Sequence, residues 1–311
     1  MDRIICIAGP TASGKTALAV ALAERTNGEV VSCDSMQVYK RMDIGTAKPT
    51  REEMQGIFHH MLDVAEPDED FSVSRYCQMA APIVDDILAR GKTAIIAGGT
   101  GLYMDALIRG NAFAPYPSTG RRQELEALAA NEGIEAVLSQ LRSVDPESAA
   151  RLHVSDQKRI IRAMEVYLET GQTITAHNRK TQQLPDKYAP IWFALEDENR
   201  ADLYARINRR VDKMLQDGLI TEIQSLLDAG IPEKCTAMQA IGYKEFVAAL
   251  HGQCTIQEAA QQVQQASRHY AKRQLTWFRR NKAIHWLRRE PGESTEQIVL
   301  KARPFLTDFD N

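Results

Sequence analysis

Gly9-Pro10-Thr11-Ala12-Ser13-Gly14-Lys15-Thr16 lies between the apolar run Ile4-Ile5-Cys6-Ile7-Ala8 and the helix-forming stretch Ala17-Leu18-Ala19-Val20-Ala21-Leu22-Ala23-Glu24. Strand, glycine-rich turn and helix in that order, with the spacing G-x-x-x-x-G-K-T, predict a phosphate-binding loop. Gly14 reaches backbone angles closed to other residues, so successive N–H groups can converge on an anion. The helix that starts near Lys15 adds its unsatisfied donors and the positive end of its dipole. Lys15 contributes a mobile point charge, and the Thr16 hydroxyl is placed to hold Mg²⁺. The loop is expected to bind a di- or triphosphate. What that phosphate is attached to is left open.

Working outward, the 311 residues suffice for one large domain or two modest ones, and 44% hydrophobic with 25% charged residues is ordinary for a globular chain. No apolar run approaches the roughly 20 residues of a membrane span. Met1-Asp2-Arg3 leads straight into a strand without a secretory signal, so a cytoplasmic location and no membrane partner are expected. Five cysteines with no C-x-x-C pair argue against a disulfide framework or a zinc site. The net charge of −3 says nothing about nucleic acid, but its distribution does: eight Lys or Arg and no acid lie between Arg268 and Arg289.

Glu29-Val30-Val31-Ser32-Cys33 reads as a second strand ending in Asp34-Ser35-Met36-Gln37. Groups just past the carboxyl ends of parallel strands converge on a ligand crevice, which would bring Asp34 to the phosphate loop. The bland alternative is a solvent-facing turn aspartate. Residues 41–70 receive no firm structure, and His59-His60, pointing to opposite strand faces, do not read as a metal pair. Ser72 caps a helix to about Arg90 with Gly91 as its stop, and Thr93-Ala94-Ile95-Ile96-Ala97 is a buried strand running into Gly98-Gly99-Thr100. Ala112-Phe113-Ala114-Pro115-Tyr116-Pro117 breaks the helix that begins near Gly101. Helices follow over 121–131, 134–144 and 156–170, and the next strand is Ile191-Trp192-Phe193-Ala194-Leu195, so an all-helical block interrupts the sheet domain. Lys158 and Arg162 share a face of one of these helices, as Arg206 and Arg210 do on the helix 201–217; a solvated face is the plain alternative for the first pair. One long helix from about Thr255 to Asn281 is expected to carry the basic cluster, with Tyr270, Trp277 and Phe278 interleaved.

Taken together, G-P-T-A-S-G-K-T, D-S-M-Q-V-Y (34–39), D-I-G-T-A-K-P (43–49), H-H-M-L-D (59–63), A-G-G-T-G-L-Y (97–103) and A-K-R-Q-L-T-W-F-R (271–279) resemble the tRNA dimethylallyltransferases, the bacterial tRNA prenyltransferases. The resemblance implies an α/β, P-loop NTPase-like parallel sheet core with an all-helical insertion domain and a helical C-terminal region. Residues 1–114 and 186–311 would form the core and 115–185 the insertion. It implies transfer of a dimethylallyl group from dimethylallyl diphosphate to N6 of the adenine immediately 3′ of the anticodon, with Mg²⁺ as cofactor. The loop would be of the nucleotide-binding kind that also accepts ATP, and a monomer is expected.

In that scheme Gly9 to Thr16 (Gly9, Pro10, Thr11, Ala12, Ser13, Gly14, Lys15, Thr16) cradle the leaving diphosphate, with an arginine of the Arg206/Arg210 pair across from them. Asp34 takes the proton from the adenine amine as general base, help worth roughly 10²–10⁴ in rate, and Thr100 bonds the same amine or a diphosphate oxygen. The resemblance assigns tRNA contacts to Asp34, Ser35, Met36, Gln37, Thr100 and Arg122, to Lys158, Arg159, Ile160, Ile161 and Arg162, and to Gln239, Ala240, Ile241, Gly242, Tyr243 and Lys244. The insertion departs slightly from the family's Q-R-x-x-R-A pattern: Arg159, Arg162 and Ala163 match it, with Lys158 where Gln is common. A metabolite kinase shares the loop, Mg²⁺ and a strand-end Asp, but needs no basic helical annex. A prenyltransferase of free adenine nucleotides would not need an RNA grip.

Overall fold

Each apolar run of the sequence finds its sheet partners far along the chain. The computed structural model describes residues 4–110, 119–182 and 185–307. It holds β1 (Ile4–Ala8), β2 (Gly28–Ser32), β3 (His59–His60), β4 (Thr93–Ala97), β5 (Ile191–Asp197) and β6 (Ile284–Arg289) in one parallel sheet, in the order β3-β2-β4-β1-β5-β6. Cys6 of β1 pairs with Ile96 on one side and Trp192 on the other. All five residues of β1 are completely buried. A parallel sheet covered on both faces needs such unbroken apolar strands.

The chain divides into two units, one formed by Met1–Gly110 with Lys187–Asn311 and the other by Asn111–Asp186. In the first, α1 (Lys15–Thr26), α2 (Arg51–Met54), α3 (Val73–Ala89) and α4 (Gly101–Arg109) come before the second unit in sequence. The second unit holds α5 (Arg121–Glu132), α6 (Ile134–Val144), α7 (Pro146–Arg151), α8 (Gln157–Thr170) and α9 (Ile174–Gln182). The first resumes with α10 (Arg200–Gln216), α11 (Leu219–Asp228), α12 (Lys244–Leu250), α13 (Ile256–Phe278) and α14 (Thr295–Ala302). Leu18 and Leu22 of α1 pack with Ile5, Ile7 and Phe193 of the sheet and with Ile298 and Val299 of α14. Capping fixes several ends. The Ser72 hydroxyl accepts from Arg75 N at the start of α3, and Thr255 with Glu258 forms a reciprocal capping box on α13. The second unit has its own core of Val137, Leu138, Leu141, Ile160 and Met164. Its buried Asp145 caps α7 and accepts from both Thr175 N and Thr175 Oγ1.

Two expectations change. The helix expected to reach Asn281 ends at Phe278, and β6 follows, a strand the cationic run had hidden. The expected breaking segment 112–117 lies outside the described residues, as do Met1-Asp2-Arg3 and the domain join at 114/115. Among the described residues no helix is long and apolar enough to cross a membrane.

The start of β2 holds an ion cluster at the sheet end away from the phosphate loop. Glu29, only 7% exposed, accepts from Arg90 at 2.5 and 2.8 Å, from Lys92 at 2.7 Å and meets His60 Nε2 at 2.8 Å. The Arg90 guanidinium first, then Lys92 and His60, hold its carboxyl well below the usual range against the opposing effect of burial. Its contribution is present above the unfolded-state pKa near 4 and is lost as pH falls below it. Glu29→Gln is expected to cost on the order of 2–3 kcal/mol at neutral pH, less than a fully buried pair because Arg90 and Lys92 are partly solvated. Denaturant melts at pH 7 and pH 3 check this: the gap between variant and wild type should narrow in acid.

Candidate active site

The carboxyl ends of five strands deliver one residue set each: Gly9–Thr16 after β1, Asp34 after β2, Gly98–Thr100 after β4, Asp197 at the end of β5 and Arg289 at the end of β6. Beside these strand ends lies a cavity of about 780 Å³ whose walls include Thr11–Thr16, Asp34, Gly98, Arg206, Arg210, Tyr270 and Arg289. Gly14, at φ 90°, caps α1 without a side-chain bond and directs the first helical N–H groups toward this space. Gly9 and Pro10 are buried behind the loop. The Ser13 hydroxyl is buried with no hydrogen-bond partner among the described residues.

The loop is held from behind by residues that the sequence did not mark as site residues. Gln274 of α13 accepts from Thr11 N at 2.9 Å and donates to Gly99 O at 3.0 Å, tying the phosphate loop to the end of β4. A Cβ on Gly98 would stand 1.9 Å from Cys33 O, so only glycine lets β4 pass β2 there. Lys15 Nζ donates to Pro10 O at 2.7 Å, and its pKa falls to about 8, because burial outweighs the favourable charge of Asp34.

Asp34 Oδ1 accepts from Met36 N at 2.9 Å and Gln37 N at 3.4 Å, and Oδ2 has no hydrogen-bond partner among the described residues. Thr100 does not line the cavity. Its hydroxyl accepts from Ser35 N at 3.0 Å and is also a hydrogen-bond neighbour of Tyr270. Burial and the charge of Asp34 push the Tyr270 phenol up to about 12, so it stays a neutral donor. Gln37 spends its amide on Thr46 O and Ala47 O, pinning the loop that forms another wall. Arg206 donates to Ala12 O at 3.0 Å and to Asp197 at 2.5 Å, whereas Arg210 reaches only Thr11 Oγ1, at 3.5 Å. The i, i+4 arginines thus both face the cavity, and Arg210 is the one with no ion-paired carboxylate among the described residues.

Elsewhere the placements are mixed. Tyr243, expected to face RNA, is completely buried, with its ring against Gly45 and its hydroxyl donating to Glu222 at 2.7 Å. Glu222 also accepts from the backbone N–H groups of Asp43, Ile44 and Gly45, so this tyrosine side chain belongs to a structural pin. The side chains of Ile160 and Ile161 lie in the core of the second unit, leaving their backbone for any contact outside it. Gly242 is buried at φ 97°, Ala240 and Ile241 are half-buried, and Gln239 and Lys244 are exposed. Arg122 bonds Glu126 and Arg162 bonds Glu165, while Arg159 is 76% exposed beside Asp156 and Lys158 has no ion-pair partner among the described residues.

The basic run is not one surface. Arg268 bonds Asn208, Arg279 pairs with Glu196, Arg273 and Arg280 lie over Tyr270 and Trp277, and Arg289 turns into the cavity. Trp277 itself packs on Gly101 and donates to Asp105 at 2.9 Å, as a structural aromatic would. The apolar residues Ile284, Trp286 and Leu287 mark β6, with Ile284 and Leu287 buried and His285 and Trp286 half-buried between them.

A phosphate loop on the central strand, strand-end side chains beside it and arginines facing it define a protein of the P-loop NTPase-like fold. The family model described as IPP transferase matches residues 37–281, and the chain belongs to that family. A tRNA dimethylallyltransferase of Acetivibrio thermocellus is 42% identical over 310 residues, covering 99% of each chain. One of Geobacillus thermodenitrificans is 49% identical over 287 residues, 92% of this chain and 90% of the relative. Among solved structures, the full-length tRNA isopentenylpyrophosphate transferase of Bacillus halodurans superposes with a TM-score of 0.74 at 40% identity, covering 99% of this chain and 97% of that one. A eukaryotic dimethylallyltransferase acting on tRNA gives 0.82 at 27% identity, over 99% of this chain and 80% of its own.

Proposed function

We propose that the chain transfers a dimethylallyl group from dimethylallyl diphosphate to N6 of the adenine 3′ of the anticodon in tRNA. The observation that carries this is the free Oδ2 of Asp34 in a cavity that also holds the phosphate loop and Arg210. As the carbon–oxygen bond of the donor breaks, negative charge builds on the diphosphate; the N–H groups of Gly14 and α1, with Lys15 and Arg210, stabilise it. The adenine amine is a weak nucleophile because its lone pair is delocalised into the ring. It becomes competent when Asp34 accepts its proton as the new bond forms. Thr100 orients Ser35 and, through it, the turn that carries Asp34. The target base must leave its stack to reach this site.

Mg²⁺ fits the donor set. Thr16 and Asp34 both line the cavity, and their oxygens are the hard donors that Mg²⁺ takes beside substrate oxygens. When bound, it would supply further charge neutralisation on the diphosphate. Incubation with radiolabelled dimethylallyl diphosphate, Mg²⁺ and unmodified tRNA tests the whole reading: label should enter RNA, and none in RNA would sink it. A phosphorylated product from ATP would favour a kinase instead.

RNA contact by Lys158, Arg159 and Arg162 is part of this proposal. Their replacement by Ala is expected to weaken binding of an anticodon stem-loop and to flatten its dependence on salt, because fewer counterions are released. Affinity for dimethylallyl diphosphate should stay near normal. Binding at two salt concentrations checks it; unchanged affinity with an unchanged slope would return these residues to a solvated face.

A further inference from the structure

Arg289 is a cation of the cavity wall outside the phosphate loop and the Arg206/Arg210 pair. It ends β6 opposite Asp197 and turns into the cavity. Its NH2 and NH1 atoms stand 2.7 and 3.2 Å from where a Cβ on Gly14 would be, so the guanidinium covers the N-cap of α1. Nε is buried with no hydrogen-bond partner, and the rest of the guanidinium forms no hydrogen bond or ion pair among the described residues. Its neighbours are not left so. Arg206 takes Asp197, and Arg279 takes Glu196.

An arginine in this position is held at a cost. It faces the positive end of the α1 dipole, which repels a cation. Burial and the charge of Arg206 act against its protonated form, and the charges of Asp197 and Glu293 only partly offset them. Its donors are unspent, where buried donors are ordinarily satisfied. One change removes all three penalties together: an anion seated on the phosphate loop.

We infer that Arg289 is a further diphosphate-binding residue, closing the N–H cradle of the phosphate loop from the β6 side with its guanidinium fork. The inference rests on the diphosphate reading of the cavity. A planar fork can engage two oxygens of one phosphate or bridge both phosphates, a bidentate charged contact that the single ammonium of Lys15 does not make. The ligand class is a diphosphate, either the prenyl donor or the inorganic pyrophosphate released from it.

The test uses the full chain, calorimetric titration with Mg²⁺ and inorganic pyrophosphate, and steady-state transfer to tRNA. Arg289→Met keeps most of the side-chain length without charge. It should weaken pyrophosphate binding and raise KM for dimethylallyl diphosphate by about 10- to 100-fold, the range for a lost charged hydrogen bond, with KM for tRNA within about twofold. Arg289→Lys keeps charge but loses the fork, so it should fall between the two and remains informative if the Met variant folds poorly. Wild-type affinity in both variants overturns the inference, and so does a lowered melting temperature with unchanged affinity, which would mark a packing role. If transfer proceeds normally while the variants bind as wild type does, Arg289 falls alone. If wild type binds pyrophosphate through Arg289 yet labels no tRNA, the anion site stands and the prenyl-transfer reading fails. A wild type that binds no pyrophosphate sinks both.

Discussion

Asp34→Asn is expected to lower turnover by at least about 10²-fold while tRNA affinity changes by less than about twofold. The substitution is unusually clean here. Asp34 Oδ1 is occupied by the N–H groups of Met36 and Gln37, and an asparagine oxygen can accept both bonds. The turn therefore keeps its shape. What changes is the free Oδ2, replaced by an NH₂ that donates where a proton must be accepted. Single-turnover transfer of label beside filter binding of tRNA separates chemistry from affinity. An asparagine variant that runs at the wild-type rate would assign the base elsewhere.

Lys15→Ala is expected to lower kcat/KM for dimethylallyl diphosphate by about 10²–10³-fold, since the ammonium touches both the bound diphosphate and the charge that develops on leaving. Wild type should show a second sign of the same group. With its pKa drawn down to about 8, Lys15 loses its charge as pH rises through that value in the free protein. The kcat/KM profile should therefore decline on the alkaline side of about pH 8, and the Ala variant should lack that limb. A bound diphosphate favours the charged form, so the limb in kcat should lie higher. Coincident alkaline limbs in wild type and variant would remove Lys15 from the binding step.

The sequence was most legible where structure is local. The phosphate loop, the strand before it and the helix after it occupy 23 consecutive residues, 4 to 26, and every signal there concerns near neighbours. The same holds for Ser72 at the head of α3 and for the helical spacing that puts Arg206 and Arg210 together. Legibility fails where a residue's meaning lies far along the chain. Gln274 reads as one more polar residue on a helix, yet it bonds Thr11, 263 positions away. Tyr243 sits within a motif that resemblance assigns to RNA, but Gly45 leaves room for its ring and Glu222 takes its hydroxyl. β6 was missed because an edge strand tolerates charge and needs no continuous apolar run, so Arg288 and Arg289 masked Ile284 and Leu287. With it went Arg289, whose guanidinium lies over Gly14 of the loop.

The central place of β1 also governs the order in which the protein can be finished. β1 is the first strand made, and one of its two neighbours, β5, starts only at Ile191. Until then the growing chain carries β1 with one flank of backbone donors and acceptors unpaired, the kind of edge that recruits foreign strands. The roughly hundred residues between β4 and β5 take on the order of 5–20 s to synthesise at ordinary ribosome speeds. Gln274, Tyr270 and Arg289 emerge later still. The phosphate loop, made before β2 to β6, is therefore among the last parts of the sheet unit to be completed.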